Sequence, residues 1–183
     1  MSAGGVLAVA ELCREQTPHI QETALQLAEL QLDFSAGLRD LRRIGAEGVA
    51  AALQRQRDAI ADALRALGQV NMRFQAVGHA AEGITQSDTV QSALATLAEN
   101  DVDLGTILRE VDKAHTTLTE AQGPIQAVLQ HAGGQGEFSG RRLIEALKVV
   151  APKVPRLHDD LQRILVANRL TLRAVEDVGD ESP

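Results

Sequence analysis

Residues 90–129, which read VQSALATLAENDVDLGTILREVDKAHTTLTEAQGPIQAVL, carry the strongest repeat in the chain. Steps of seven residues meet an apolar side chain each time, at Val90, Leu97, Leu104, Val111, Leu118 and Ile125. A second row, four residues further on, reads Leu94, Asp101, Leu108, His115, Gln122 and Leu129. Two such rows form the seam by which a helix packs against other helices. The stretch therefore predicts one long helix that other helices must cover.

Polar residues interrupt the second row at Asp101, His115 and Gln122. Burial of a polar side chain costs free energy unless the side chain gains a hydrogen-bond partner, and such residues often fix helix register. We expect a specificity role for these three. If residues 78–87 turn the chain back into a hairpin, Arg65 faces Asp101 and neutralises it. A metal or proton site at His115 is the less favoured interpretation, because a metal needs several convergent ligands.

The composition favours helices throughout. Of the 183 residues, 44% are hydrophobic but only 2% are aromatic, with no Trp or Tyr, and good helix formers dominate. The length suits one domain with its own core. We predict an all-α fold: an elongated antiparallel helical bundle with coiled-coil-like heptad packing.

The chain divides into a short or mobile segment over residues 1–16, a single bundle over residues 17–178 and a tail over residues 179–183. The predicted helices span about residues 18–44, 47–77, 87–122, 124–131, 140–150 and 155–178. Thr17-Pro18 is a typical helix start, and the glycine-rich residues 133–140 are typical of a linker. The glycines at 45 and 48 favour a break, although one long helix over residues 18–77 with a rotated stripe is the alternative.

Charge is unevenly distributed. The chain has a net charge of −7, yet residues 139–173 carry eight basic against three acidic residues, a net of +5. The basic residues are Arg141, Arg142, Lys148, Lys153, Arg156, Arg163, Arg169 and Arg173. We favour the interpretation that these helices lie beside the acidic central helix. The alternative is a basic docking face for an anionic partner, and the absence of stacking aromatic residues disfavours nucleic acid as that partner.

Motifs for catalysis or metal binding are missing. Cys13 is the only cysteine, which excludes an internal disulfide and a thiolate zinc cluster. The sequence contains neither GxSxG nor HExxH. His158-Asp159, preceded by His131, is similar to the His-Asp dipeptide of all-α metal-dependent phosphohydrolases, but the match is a dipeptide only. We predict no catalytic, cofactor-binding or metal site, and keep that hydrolase as a remote alternative.

The N-terminus lacks the features of a secretory signal. No basic residue precedes the short apolar run at residues 6–10, and no apolar run approaches the length of a membrane span. These features predict a cytoplasmic protein, with signal-less export as the open alternative. Fifteen Arg against three Lys indicate a GC-rich, bacterial genome.

The pattern as a whole favours a non-catalytic interaction protein: a scaffold, adaptor or regulatory subunit that binds a protein partner or associates with itself. An amphipathic coat or anchor on a membrane, granule or polymer surface is one alternative. A ligand-sensing bundle with a cavity beside His115 and Gln122 is another.

Overall fold

The computed structural model describes the backbone of residues 3–84, 86–131 and 135–181. Its α-helices are α1 (Ala3–Arg43), α2 (Glu47–Ala80), α3 (Ser87–His131), α4 (Gln135–Val150) and α5 (Lys153–Asp180), and a 3-10 turn (Ala81–Gly83) follows α2. Within the described residues there is no strand, so the predicted all-α helical bundle is confirmed. None of the described helices combines the length and the apolar content needed to span a bilayer.

The helices build two compact units, each with its own core. Unit 1 comprises Met1–Ala24, Arg65–Ile107 and Asp160–Pro183, and unit 2 comprises Leu25–Leu64 and Leu108–Asp159. Each unit takes a segment from α1, α2, α3 and α5, and α4 belongs to unit 2. No change in composition marks this division, and the sequence alone predicts an undivided bundle over residues 17–178.

The first predicted row of the α3 seam is buried, whereas in the predicted second row only Leu108 is buried. Every member of the first row, from Val90 to Ile125, is buried. The second buried row lies three residues after the first rather than four, and consists of Ala93, Asn100, Ile107, Ala114 and Ala121. The small alanine side chains let neighbouring helices approach closely, so the longer side chains of Leu94 and Leu129 lie half-buried at the edge.

Helix α1 begins earlier than Thr17-Pro18, so the predicted short or mobile segment over residues 1–16 is wrong for the described residues from Ala3 onward. Burial explains the difference, because Val9 and Cys13 already lie in the core ahead of the proline. Pro18 removes one helical hydrogen bond, but it is exposed, so water can solvate the carbonyl that loses its donor.

A turn at Gly45 separates α1 from α2 and decides between the two alternatives for residues 18–77. Gly45 has φ +76°. Its amide donates to the Arg42 carbonyl at 3.2 Å, and the Ala46 amide donates to the Leu41 carbonyl at 3.0 Å. These two bonds form a Schellman motif, in which glycine takes the left-handed position. Leu41 and Ala46 are both buried, which adds the apolar contact typical of this motif.

Three other boundaries differ from the predicted ones. Helix α3 continues through Pro124 to His131 because Ala121 and Ile125 keep the buried row in phase. Helix α4 begins at Gln135, inside the predicted linker, of which residues 133 and 134 lie outside the described residues. Helix α5 begins at Lys153, since Pro155 falls in the first turn, where no helical donor is required.

We expect Gly45→Ala to lower the free energy of unfolding by roughly 1–2 kcal/mol, because a Cβ at positive φ is strained. No neighbouring atom lies within 4 Å of the added Cβ, so backbone strain alone is tested. Gly68→Ala is the matched control, since Gly68 lies exposed inside α2 with equally open surroundings. There alanine should raise the free energy of unfolding by roughly 0.5–1 kcal/mol. Urea denaturation measures both, and effects of the same sign would contradict the turn.

Candidate interaction surfaces

Asp101 is half-buried on α3 and pairs with α5. Its Oδ2 accepts a hydrogen bond from Arg169 Nε at 2.8 Å. This hydrogen bond and the opposite charge of Asp101 raise the pKa of the Arg169 guanidinium above its ordinary value. Arg65 is therefore not the cation that neutralises Asp101, and that prediction is wrong.

The error in the hairpin register has a simple cause. The prediction assumed that α2, the preceding helix of the hairpin, packs beside Asp101. The α3 carboxylates that face α2 are instead those of Glu99 and Asp103. Both pair with Arg73, which lies 3.2 Å from Glu99 Oε2 and also donates to Asp103 Oδ2. Asp101 lies on the other side of α3, beside α5.

The other two predicted seam positions differ in burial. The side chain of His115 is exposed. The predicted specificity role and the predicted cavity beside His115 both assumed that this side chain is buried. Gln122 is half-buried, and its role stays a prediction. His115 lies outside the buried row because that row uses Ala114, the residue beside it.

Two buried asparagines in unit 1 were missed by the sequence analysis. Asn100 and Asn168 are each 0% exposed. Asn168 Nδ2 donates to the Leu97 carbonyl at 2.9 Å, one helical turn before Asn100. Asn168 Oδ1 and both polar atoms of Asn100 have no partner among the described residues. Counting the seam in steps of three and four from Leu97 would have placed Asn100 in the core.

The predicted basic docking residues all lie at the surface. Five belong to unit 2: Arg141, Arg142, Lys148, Lys153 and Arg156. The other three, Arg163, Arg169 and Arg173, belong to unit 1. Since Arg169 pairs with the α3 carboxylate of Asp101, the interpretation that basic α5 lies beside acidic α3 holds for this residue.

The outer side of α5 in unit 1 combines apolar and charged side chains, with two arginines between exposed acidic residues such as Asp177. Val166 and Leu170 are 48% and 49% exposed, and Arg163 and Arg173 flank them along the helix. Spacings of three, four and three residues place these four residues, hereafter the α5 face, on one side of the helix. Arg163 lies 3.6 Å from Asp160, whereas Arg173 forms no ion pair with a described residue.

The outer side of α1 in unit 2 combines apolar and acidic side chains. Leu25 and Leu32 are 62% and 69% exposed. Three further exposed residues lie beside them: Glu29, Asp33 and Ala36. We call these five residues the α1 face. Leu25 and Leu32 are seven residues apart and form a second row beside the buried row of Ile20, Leu27, Phe34 and Leu41. Their spacing is the signal by which the sequence could have revealed this face.

Cys13 is buried against α2 in unit 1. Its side chain is 1% exposed, and burial raises the pKa of the thiol from 9.0 to about 12. Cys13 lies beside a groove of about 490 Å³ that Arg14, Phe74 and His79 also line. A thiol protonated at neutral pH is a poor nucleophile and a poor metal ligand, so Cys13 acts in the packing of α1 on α2.

The described residues contain no group of three His, Cys, Asp or Glu side chains that could hold a metal ion. His158 Nε2 lies 3.5 Å from Asp112 Oδ1 on α3, a contact within unit 2. The side chain of His131, the other histidine of the hydrolase alternative, lies outside the described residues.

The sequence matches no model of a known protein family, and no curated protein matches it. Functional interpretation therefore depends on the surfaces and cores described above.

We expect Asn168→Ala to lower the free energy of unfolding by roughly 1 kcal/mol more than Asn100→Ala. The first change removes the hydrogen bond to the Leu97 carbonyl, whereas the second removes polar atoms that have no partner. Both positions are fully buried, so loss of packing is similar. Thermal and urea denaturation of the two variants measure the difference, and a greater loss for Asn100→Ala would contradict this account.

We expect Cys13 to resist alkylation in the folded protein at about pH 8, because the thiol is both covered and protonated. The same protein unfolded in urea is the control, and it should react rapidly. Because burial penalises the thiolate and raises its pKa, the free energy of unfolding should fall as the pH rises from 9.0 towards 12. Mass spectrometry follows the labelling. Rapid labelling of Cys13 in the folded protein would contradict its burial.

Proposed function

We propose that this chain is a non-catalytic interaction protein, a scaffold, adaptor or regulatory subunit that acts through helix-helix contacts. The observation that supports the proposal is the pair of outer faces on α5 and α1. Each face presents two large aliphatic side chains at helical spacing, at least 48% exposed, with charged residues beside them.

Isolated exposed aliphatic residues are common on soluble proteins, but rows of them along a helix are typical of surfaces that bind another helix. Each face has the elements of such a surface. The aliphatic side chains supply area that is removed from water on binding, and the flanking charges supply orientation and selectivity. The opposite sides of α1 and α5 are already buried in their units, so the outer faces are available.

A bacterial, cytoplasmic setting fits this proposal. The arginine-rich composition supports the bacterial origin, and a single cysteine with no disulfide partner in the chain suits a reducing compartment. Helix-helix recognition through heptad-spaced residues would give an oligomeric or coiled-coil-like complex.

A second candidate function is attachment to an anionic lipid surface. The α5 face supports it, because Val166 and Leu170 with arginines on either side resemble the surface of an interfacial helix. The α1 face argues against it, since Glu29 and Asp33 would be repelled by anionic lipid. We therefore place this function second.

Photo-cross-linking in growing cells tests the proposed function. A photoreactive amino acid replaces Val166 or Leu25 in the full chain, and the matched control carries it at the exposed polar residue Gln91. We expect protein adducts at positions 166 and 25 and none at 91, because only the first two lie on the proposed binding faces.

Adducts no more abundant at positions 166 and 25 than at the control would contradict helix-helix recognition. The second function is tested with the purified protein and vesicles that contain anionic phospholipid. Salt-sensitive binding to those vesicles, weakened by Leu170→Gln and accompanied by no protein adduct, would replace the first proposal with the second.

A further inference from the structure

We infer that the α5 face of one copy of this chain binds the α1 face of a second copy. The inference rests on the proposed function and names the partner. Three properties of the described surface support it: the apolar content of the two faces, their opposite charge, and the repulsion that opposes pairing of either face with itself.

The two faces match in length and apolar content. At about 1.5 Å per residue, residues 163–173 of α5 extend about 15 Å and residues 25–36 of α1 about 17 Å. Each presents two large aliphatic side chains, Val166 and Leu170 four residues apart on α5, and Leu25 and Leu32 seven residues apart on α1. Two aliphatic ridges of this kind can interlock as they do between helices of a bundle.

The charged residues within the two faces are opposite in sign, while exposed Asp177, one turn beyond Arg173, and exposed Arg39, one turn beyond Ala36, border the two faces with the other sign. Arg163 and Arg173 stand at the two ends of the α5 face, and their side chains are long enough to reach across a helix pair. Glu29 and Asp33 stand beside the leucines of the α1 face, and both are exposed. Placing one face on the other brings arginines near carboxylates, which favours the correct pairing over others.

Pairing of either face with itself is opposed by like charge. An antiparallel α5 pair that sets Val166 against Leu170 also sets Arg163 against Arg173. An α1 pair that sets Leu25 against Leu32 brings Glu29 close to Glu29 of the second copy. Like charges so placed are repulsive, so the contact joins two different faces and is heterologous.

The contact is small, because it involves one side of one helix from each copy. Interfaces of this size are weak, so the association should depend on protein concentration and salt. Sedimentation velocity of the full chain over a wide concentration range is the direct measurement. We expect the average mass to rise above that of the monomer with concentration and to fall when salt is added.

Aliphatic substitutions test which residues form the contact. The double variants Val166→Ser/Leu170→Gln and Leu25→Gln/Leu32→Gln should each raise the dissociation constant at least about tenfold, since each removes half of the apolar contact. Met72→Gln/Val102→Thr is the matched control, because these residues are 69% and 67% exposed but lie outside both faces. The control should associate as the natural sequence does, and circular dichroism should show all variants folded.

Charge reversal tests the pairing of the two faces. Two double variants should each weaken self-association: Arg163→Glu/Arg173→Glu and Glu29→Arg/Asp33→Arg. An equimolar mixture of the two should associate again, because the charges of the contacting faces are then opposite. A folded chain that stays monomeric at every concentration would overturn the inference, as would a mixture that fails to associate. A monomeric chain that still cross-links to another protein at position 166 would leave the proposed function standing and refute the second copy as partner.

Discussion

Burial of one continuous stripe along each long helix is the constraint on which this structure depends. The stripe outweighs local signals that would end a helix. A proline inside a helix costs about 3 kcal/mol, whereas full burial of a single Ile, Leu or Val contributes about 1.5–3 kcal/mol. Ile20 and Val9 lie on either side of Pro18, and Leu118 and Ile125 on either side of Pro124, all at most 2% exposed. The buried residues on both sides therefore keep α1 and α3 continuous.

The cores of the two units differ in polarity. Among the described residues, the buried polar side chains of unit 1 are Gln16, Thr23, Asn100, Asn168 and Thr171, while unit 2 has Gln56. Gln56 donates to the Glu110 carbonyl at 3.0 Å, so the polar group of unit 2 is satisfied. Asn100 in unit 1 is not. Buried amides without a partner weaken a core but penalise alternative helix registers, and among the described residues this cost falls on unit 1.

Periodicity was enough to predict the all-α class and the first row of the α3 seam, and the two glycines favoured the break at Gly45, because these follow from local residue types. It failed where the neighbouring helix decides. Alanine occurs on every side of these helices, so Ala93 and Ala114 did not reveal the true second row, and Leu94 and His115, the residues beside them, were predicted in their place. The partner of Asp101 was missed because the prediction considered only α2 as the neighbouring helix, whereas Arg169 lies on α5. The basic surface residues were predicted, whereas Val166, Leu170, Leu25 and Leu32 were missed because only one stripe per helix was counted.

The proposed binding faces lie on helices that are already ordered in the chain. A disordered segment must lose backbone freedom when it binds, at about 1–2 kcal/mol per residue, and a short contact cannot offset that loss. Val166, Leu170, Leu25 and Leu32 are already held in helices whose opposite sides are buried, so association orders only side chains. Valine and leucine also lose less rotamer freedom than longer side chains do. In the proposed contact the ordering cost would therefore be confined to side chains, and the charges beside the aliphatic residues would select which faces meet.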